Sequence, residues 1–274
     1  MARQNYFDIL NQMEFDPQRE LKNLVDLLKM ENNLGHGYYT TINSAISDNF
    51  LDYPNRSTFT SYSQMIEVII SNICNTTEQL FVFSELLVDI FCNLAEKFTD
   101  EESEFIQIIF DNIKRFLELS NHELITLENG DKIIVEKNVY ASEVSQIVSE
   151  TSIQDAIKVL EYNHFSNKGN IQRKKEILIA LANYLEPFRR KLNNSEELKD
   201  ILKVNNQKVI AFEKLFEMYN NFGLRHNNSN QYHLDLADDE LEQWYDDIYT
   251  STLFVILSMD ESRILSKLKT LREG

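Results

Sequence analysis

Glycine and proline punctuate this chain so rarely that few folds remain open to it: 6 glycines and 3 prolines in 274 residues. Tight turns between strands draw on both residues, so a many-stranded sandwich or barrel would lack its turn chemistry. Helices joined by polar loops would not. With 43% hydrophobic and 26% charged residues the chain can bury a core. The expected fold class is all-α with one small β-hairpin.

Apolar spacing places the helices. Asp16-Pro17 opens the first, because Asp accepts from free N–H groups and Pro suits the first helical position. Leu21, Leu24, Val25 and Leu28 then share a face. Gly35 and Gly37 mark a break, and residues 40–59 read as polar and irregular, with a turn at Asp52-Tyr53-Pro54-Asn55. Residues 61–98 read as two helices meeting near Asn75-Thr76-Thr77, the second carrying Leu80, Phe83, Leu87, Ile90, Phe91 and Leu94. Another helix begins at Asp100, with Phe105, Ile109, Ile113, Phe116 and Leu117 on its buried face.

Two short β-prone runs flank Asn129-Gly130 in LITLENGDKIIVEK and predict a hairpin. The hairpin divides the chain into a helical N-terminal region, residues 1–138, and a helical bundle, residues 139–274. Four stripes build that bundle. The first is Ile153, Ala156, Ile157 and Leu160, and the second is Leu178, Leu181, Tyr184, Leu185 and Phe188. The third is Val209, Phe212, Leu215, Phe216 and Tyr219; the last helix carries Leu241, Trp244, Tyr245, Ile248, Leu253 and Ile256. Asp239 with Glu242 matches a capping box at its start.

A net charge of −17 disfavours indiscriminate binding to phosphate backbones, although a local basic patch remains open. Cys74 and Cys92 sit in apolar stretches without a CxxC pairing and read as reduced, buried thiols. The N-terminus lacks the apolar core of a signal peptide, and no run is long enough to span a membrane. A cytoplasmic protein without a membrane partner is expected. His36 and His164 have no metal-ligand partners in sequence, and the phosphate-loop, GxGxxG and GxSxG signatures are absent. Neither metal nor cofactor is expected.

The segment MYNNFGLRHNNSNQYHLDLADDELEQWYDDIY carries the most chemistry. A helix ends at Phe222-Gly223, where Gly can turn left-handed, and Arg225-His226 follow, then a polar loop with His233. Arg grips phosphate through a planar fork of donors, and His moves protons near neutral pH. That combination suits attack of an RNA 2′-OH on its adjacent phosphate without metal. The same cations also suit a plain helix C-terminus, where they favour the dipole and bond free carbonyls. A basic strip precedes the segment. Lys168, Arg173, Lys174, Lys175, Arg189, Arg190 and Lys191 outnumber Glu176 and Glu186 between Phe165 and Lys191. It reads either as an RNA-facing surface or as a solvated face paired with acids.

NNFGLRH with the following polar loop and amphipathic helix, together with DAIKVLEYNHF and KKEILIALANYLEPFRRKL, resembles the HEPN-like C-terminal domain of bacterial abortive-infection proteins, over residues 140–272. The resemblance implies a HEPN-like four-helix bundle acting in phage defence, usually as a homodimer, with metal-independent RNA cleavage in its nuclease members. On this chain Arg225 matches the family arginine, His226 the polar residue after it, and His233 the closing histidine. Seven residues separate Arg225 from His233, one more than the family pattern. Members with an incomplete motif are commonly non-catalytic, so a helical interaction or sensor protein of a defence or toxin–antitoxin system, engaging a protein partner, is the alternative.

Overall fold

The computed structural model describes residues 14–33, 39–127, 129–225 and 236–273. The 35–37 glycine break with His36, the residues before 14, and His226 and His233 lie outside the described residues. The protein is predominantly helical and divides into two compact units, Met1–Ile134 and Val135–Gly274. The division falls inside the hairpin's second strand, a little before Asn138, where the sequence places it.

The N-terminal unit begins with α1 (Pro17–Lys29), whose first N–H groups, Gln18 and Arg19, are accepted by the Asp16 carboxylate. A two-residue ribbon follows, β1 (Asn32–Asn33) antiparallel to β2 (Tyr39–Thr40). Then come α2 (Ile42–Asn49), α3 (Tyr62–Ser71), α4 (Thr76–Asn93) and α5 (Asp100–Leu119). α2 corrects the expectation of an irregular stretch. Thr41 caps it through the Ser44 N–H, and Ile42, Ala45 and Ile46 turn inward from an otherwise polar sequence. α4 is the central helix: Leu80, Phe83, Leu87 and Ile90 are buried, and so are Phe81 and Val88 on other faces. α5 starts at a full capping box between Thr99 and Glu102 and buries Ile106, Ile109, Ile113, Phe116 and Leu117. Cys74 and Cys92 are free but exposed, not buried. Cys92 lies on the outer face of α4, next to buried Phe91, and Cys74 in the link before that helix.

β3 (His122–Thr126) and β4 (Lys132–Glu136) form the expected hairpin. Gly130 has φ +93°, a conformation costly for any residue with a Cβ, while Asn129 Oδ1 accepts from the Asp131 N–H.

The C-terminal unit is richer in elements than the four expected helices. It contains α6 (Val139–Ser149), α7 (Ile153–Glu161), α8 (Ile171–Leu185), the short α9 (Arg189–Asn194) and α10 (Glu196–Ile201), α11 (Ile210–Asn221) and α12 (Asp238–Glu273). A ribbon of β5 (Val204–Asn205) and β6 (Lys208–Val209) precedes α11; its two-residue turn, Asn206-Gln207, has positive φ at both positions. α8 and α12 lie at the heart of the unit, packed on α6, α7 and α11. Leu178, Leu181, Leu185, Phe212, Phe216, Tyr219, Tyr245, Ile248 and Ile256 form the core. Ile153, expected in the first stripe, is exposed at the start of α7, and Val159 is buried instead. None of the described helices is long and apolar enough to cross a membrane.

Candidate functional site

Arg225 owes its position to the end of α11. The Leu224 N–H reaches back to the Tyr219 carbonyl at 3.0 Å and the Phe222 N–H to Met218 at 2.9 Å, while Gly223 adopts φ +69°. This left-handed termination satisfies carbonyls that would otherwise be orphaned at the helix end. The chain leaves it with Leu224 buried and Arg225 turned inward.

The Arg225 guanidinium meets Glu186 Oε1 at 2.9 Å, and its side chain is only 13% exposed. Glu186 follows the last residue of α8 and immediately precedes Pro187. Its second oxygen, Oε2, is buried with no hydrogen-bond partner among the described residues, as is Asn220 Oδ1 on α11. Close by, the Tyr219 hydroxyl shares a 2.6 Å hydrogen bond with Thr252 Oγ1 of α12. Burial pushes the Tyr219 hydroxyl up; the Thr252 hydrogen bond and the positive charge of Arg225 oppose that rise. Arg225 thus rests against one carboxylate in a mostly closed polar recess.

The basic strip does not form a single surface. Lys174 is buried and turned toward α12, where its ammonium meets Glu242 at 2.8 Å and Asp246 at 2.7 Å. It also lies 5.4 Å from the centre of the Tyr162 ring. Tyr162 donates to the same Asp246 at 2.8 Å and stacks on Tyr249 with ring centres 4.0 Å apart. Arg173 pairs with Glu161 of α7 and, at 3.1 Å, with Glu176. Arg189 faces α11, meeting Glu213 at 3.0 Å with its guanidinium 4.7 Å from the Phe216 ring centre. Lys168 is exposed near Glu242, Arg190 is exposed, and Lys175 is half-buried. Lys175 and Arg190 have no ion pair among the described residues.

Carboxylates answer this arrangement. Burial alone would raise the Glu242 carboxyl, but Lys174 and the Gly169 N–H outweigh it and hold the group below its ordinary range. Glu161, held by Lys158 and Arg173, and Glu213, held by Arg189 and Asn193, are lowered against burial in the same way. Glu242 is therefore not the partner of a capping box at Asp239. The helix begins one residue earlier, at Asp238, and the Glu242 carboxylate reaches across the bundle instead.

No protein family, characterised protein or solved structure matches the chain.

Arg225 and the strip were legible as cations, but their partners were not. Glu186, Glu161, Glu213, Glu242 and Asp246 each hold one of them. A usable signal existed for the last two. Glu242 and Asp246 stand one helical turn apart, flanking the buried Tyr245, so that face of α12 was bound to bring both carboxylates against a neighbour. Among the described residues no three His, Cys, Asp or Glu side chains converge to hold a metal ion.

Proposed function

We propose that the C-terminal unit is a HEPN-like, non-catalytic interaction or sensor module of the abortive-infection or toxin–antitoxin kind, working in the cytoplasm as a homodimer and engaging a protein partner. What supports this reading above all is the state of the cations. Arg225, Arg173, Lys174 and Arg189 are each engaged by a carboxylate of their own unit. A phosphodiester would have to displace those carboxylates before it could be held, and a half-buried charge left without its partner is costly.

Metal-independent RNA cleavage is the second reading, and one observation favours it. Arg225 is anchored immediately before the segment that contains His226 and His233, beside a buried Glu186 oxygen with no hydrogen-bond partner among the described residues. In this reading Arg225 holds the scissile phosphate while His226 or His233 takes the proton from the 2′-OH. The 2′-oxygen then forms its bond to phosphorus as the phosphorus–5′-oxygen bond breaks, and the 5′-oxygen leaves with a proton given by the histidine that took one or by the other histidine. Lys168, Lys175 and Arg190 would guide the strand.

The two readings separate in one assay: purified protein, single-stranded and structured RNAs, and EDTA. The expected result is intact RNA, with wild type and Arg225→Lys indistinguishable. Cleavage by wild type that falls by a hundredfold or more in Arg225→Lys, with the circular dichroism spectrum unchanged, would replace the first reading with the second.

A further inference from the structure

A cleft of about 580 Å³ opens on the C-terminal unit, and neither Arg225 nor Glu186 lines it. It lies between the end of α6, the turn after α8, the short helices α9 and α10, and the outer part of α12. That volume lies within the range of small-ligand sites, about 300–1,000 Å³.

Its walls differ in kind. Tyr184 and Phe188 make an aromatic side, with ring centres 5.5 Å apart and planes inclined at 49°. Leu192 and Leu198 supply buried apolar surface, and the hydroxyls of Ser195 and Ser262 meet at 2.8 Å. The rim is charged, with Glu150, Glu197 and Asp260 set among Lys191, Arg263 and Lys267. Asp260 holds Arg263 at 2.6 Å, and Glu150 adds to the negative field on that guanidinium. Glu197 accepts from the Ser195 hydroxyl at 3.0 Å and lies near Lys269. Lys191 and Lys267, both exposed, line the same cleft with no ion pair among the described residues. Asp260 is spoken for by Arg263, while Lys191 and Lys267 are left to answer a ligand.

We infer that this cleft binds an organic anion built on a flat ring, of the nucleoside monophosphate class. The ring would lie against Phe188 and Tyr184 and the phosphate between Lys191 and Lys267. A bare inorganic anion would leave the aromatic side and the leucines unmet; an uncharged ring would leave the two lysines unanswered. Aromatic faces accept any base, whereas a phosphate is what two free ammonium groups select. The inference rests on the cleft alone and holds whichever use is made of Arg225.

Calorimetric titration of the full chain with each of the four common ribonucleoside 5′-monophosphates tests it, with adenosine and inorganic phosphate as controls. At least one nucleotide is expected to bind saturably, ten or more times tighter than either control. A Lys191→Ala/Lys267→Ala double variant, altered only at exposed side chains, is expected to lose tenfold or more in affinity with an unchanged circular dichroism spectrum. Phe188→Leu, which keeps the bulk and removes the ring, is expected to lose severalfold. The inference is overturned if none of the four nucleotides binds at millimolar concentration, or if adenosine or phosphate binds as well as the nucleotide. It is equally overturned if the double variant keeps full affinity while Arg225→Lys abolishes binding, which would move the ligand to the other site.

Discussion

Lysine has two different lives in this protein. In the N-terminal unit, Lys97 meets Asp52 at 2.6 Å with the two side chains 47% and 55% exposed. Arg19 pairs with its sequence neighbour Glu20. Neither contact sets the packing of that unit, whose helices close over Phe81, Phe83, Leu87, Ile90, Ile109 and Phe116. In the C-terminal unit, Lys174 is 8% exposed and joins α8 to α12 through two carboxylates. Arg173 joins α8 to α7, and Arg189 joins the start of α9 to α11. One unit wears its ion pairs on the surface, where such pairs add at most about 1 kcal/mol. The other carries surface pairs as well, such as Lys199–Glu196 and Lys214–Glu217, but adds others between its helices, and at buried Lys174 a lost partner is costly. A cluster of cations in sequence therefore says little about ligands until its intramolecular acids are known.

The sharpest way to break this contrast is to neutralise one lysine in each unit. Lys174→Met is expected to destabilise the protein by about 3 kcal/mol, because Glu242 and Asp246 lose their common partner. Lys97→Met is expected to leave the urea midpoint where it is. Equal effects from the two variants would erase the distinction.

Acid should sharpen it next. Glu161, Glu213 and Glu242 have folded-state pKa values below their ordinary ones, held there by neighbouring cations and N–H donors against the opposing effect of burial. A carboxyl depressed in this way contributes stability above its unfolded pKa, about 4.3 for Glu, and loses it as pH falls through the folded value. Hydrogen exchange followed downward from pH 5 is expected to show α7, α8 and α12 losing protection before α4 and α5. The reverse order would contradict the proposed division of labour.

The smallest effects should be equal, because helix caps serve both units alike. Thr99→Ala at the start of α5 and Asn138→Ala at the start of α6 each remove a side-chain acceptor from a first-turn N–H. About 1 kcal/mol is expected from each, read from thermal melts. A large difference between them would show that local terms also separate the units.

Much of the fold was legible because it is written locally. The stripes of α4, α5, α8, α11 and α12 repeat at helical spacing, Gly130 turns the hairpin and Gly223 ends α11 as their φ values require. α2 escaped because its three inward residues are spaced among Asn and Ser, which favour turns in isolation, whereas here Ser47 and Asn49 donate to carbonyls one turn back within the helix. The β5–β6 ribbon escaped because its positive-φ turn is made by Asn206-Gln207, without the Gly that usually announces it. The site was harder to foresee for a related reason. Lys174 and Asp246 are 72 positions apart, and nothing in a single sequence couples residues at that distance. Charge was visible, but pairing was not.

α12 contains 36 residues with neither glycine nor proline, about 54 Å of uninterrupted helix. Glu242 and Asp246 grip Lys174 near its beginning, Thr252 touches Tyr219 at mid-length, and Ser262 and Lys267 stand in the cleft farther on. A helix without glycine or proline lacks the usual sites of a sharp kink. One continuous helix therefore carries both the Lys267 side of the cleft and the Thr252 contact to Tyr219.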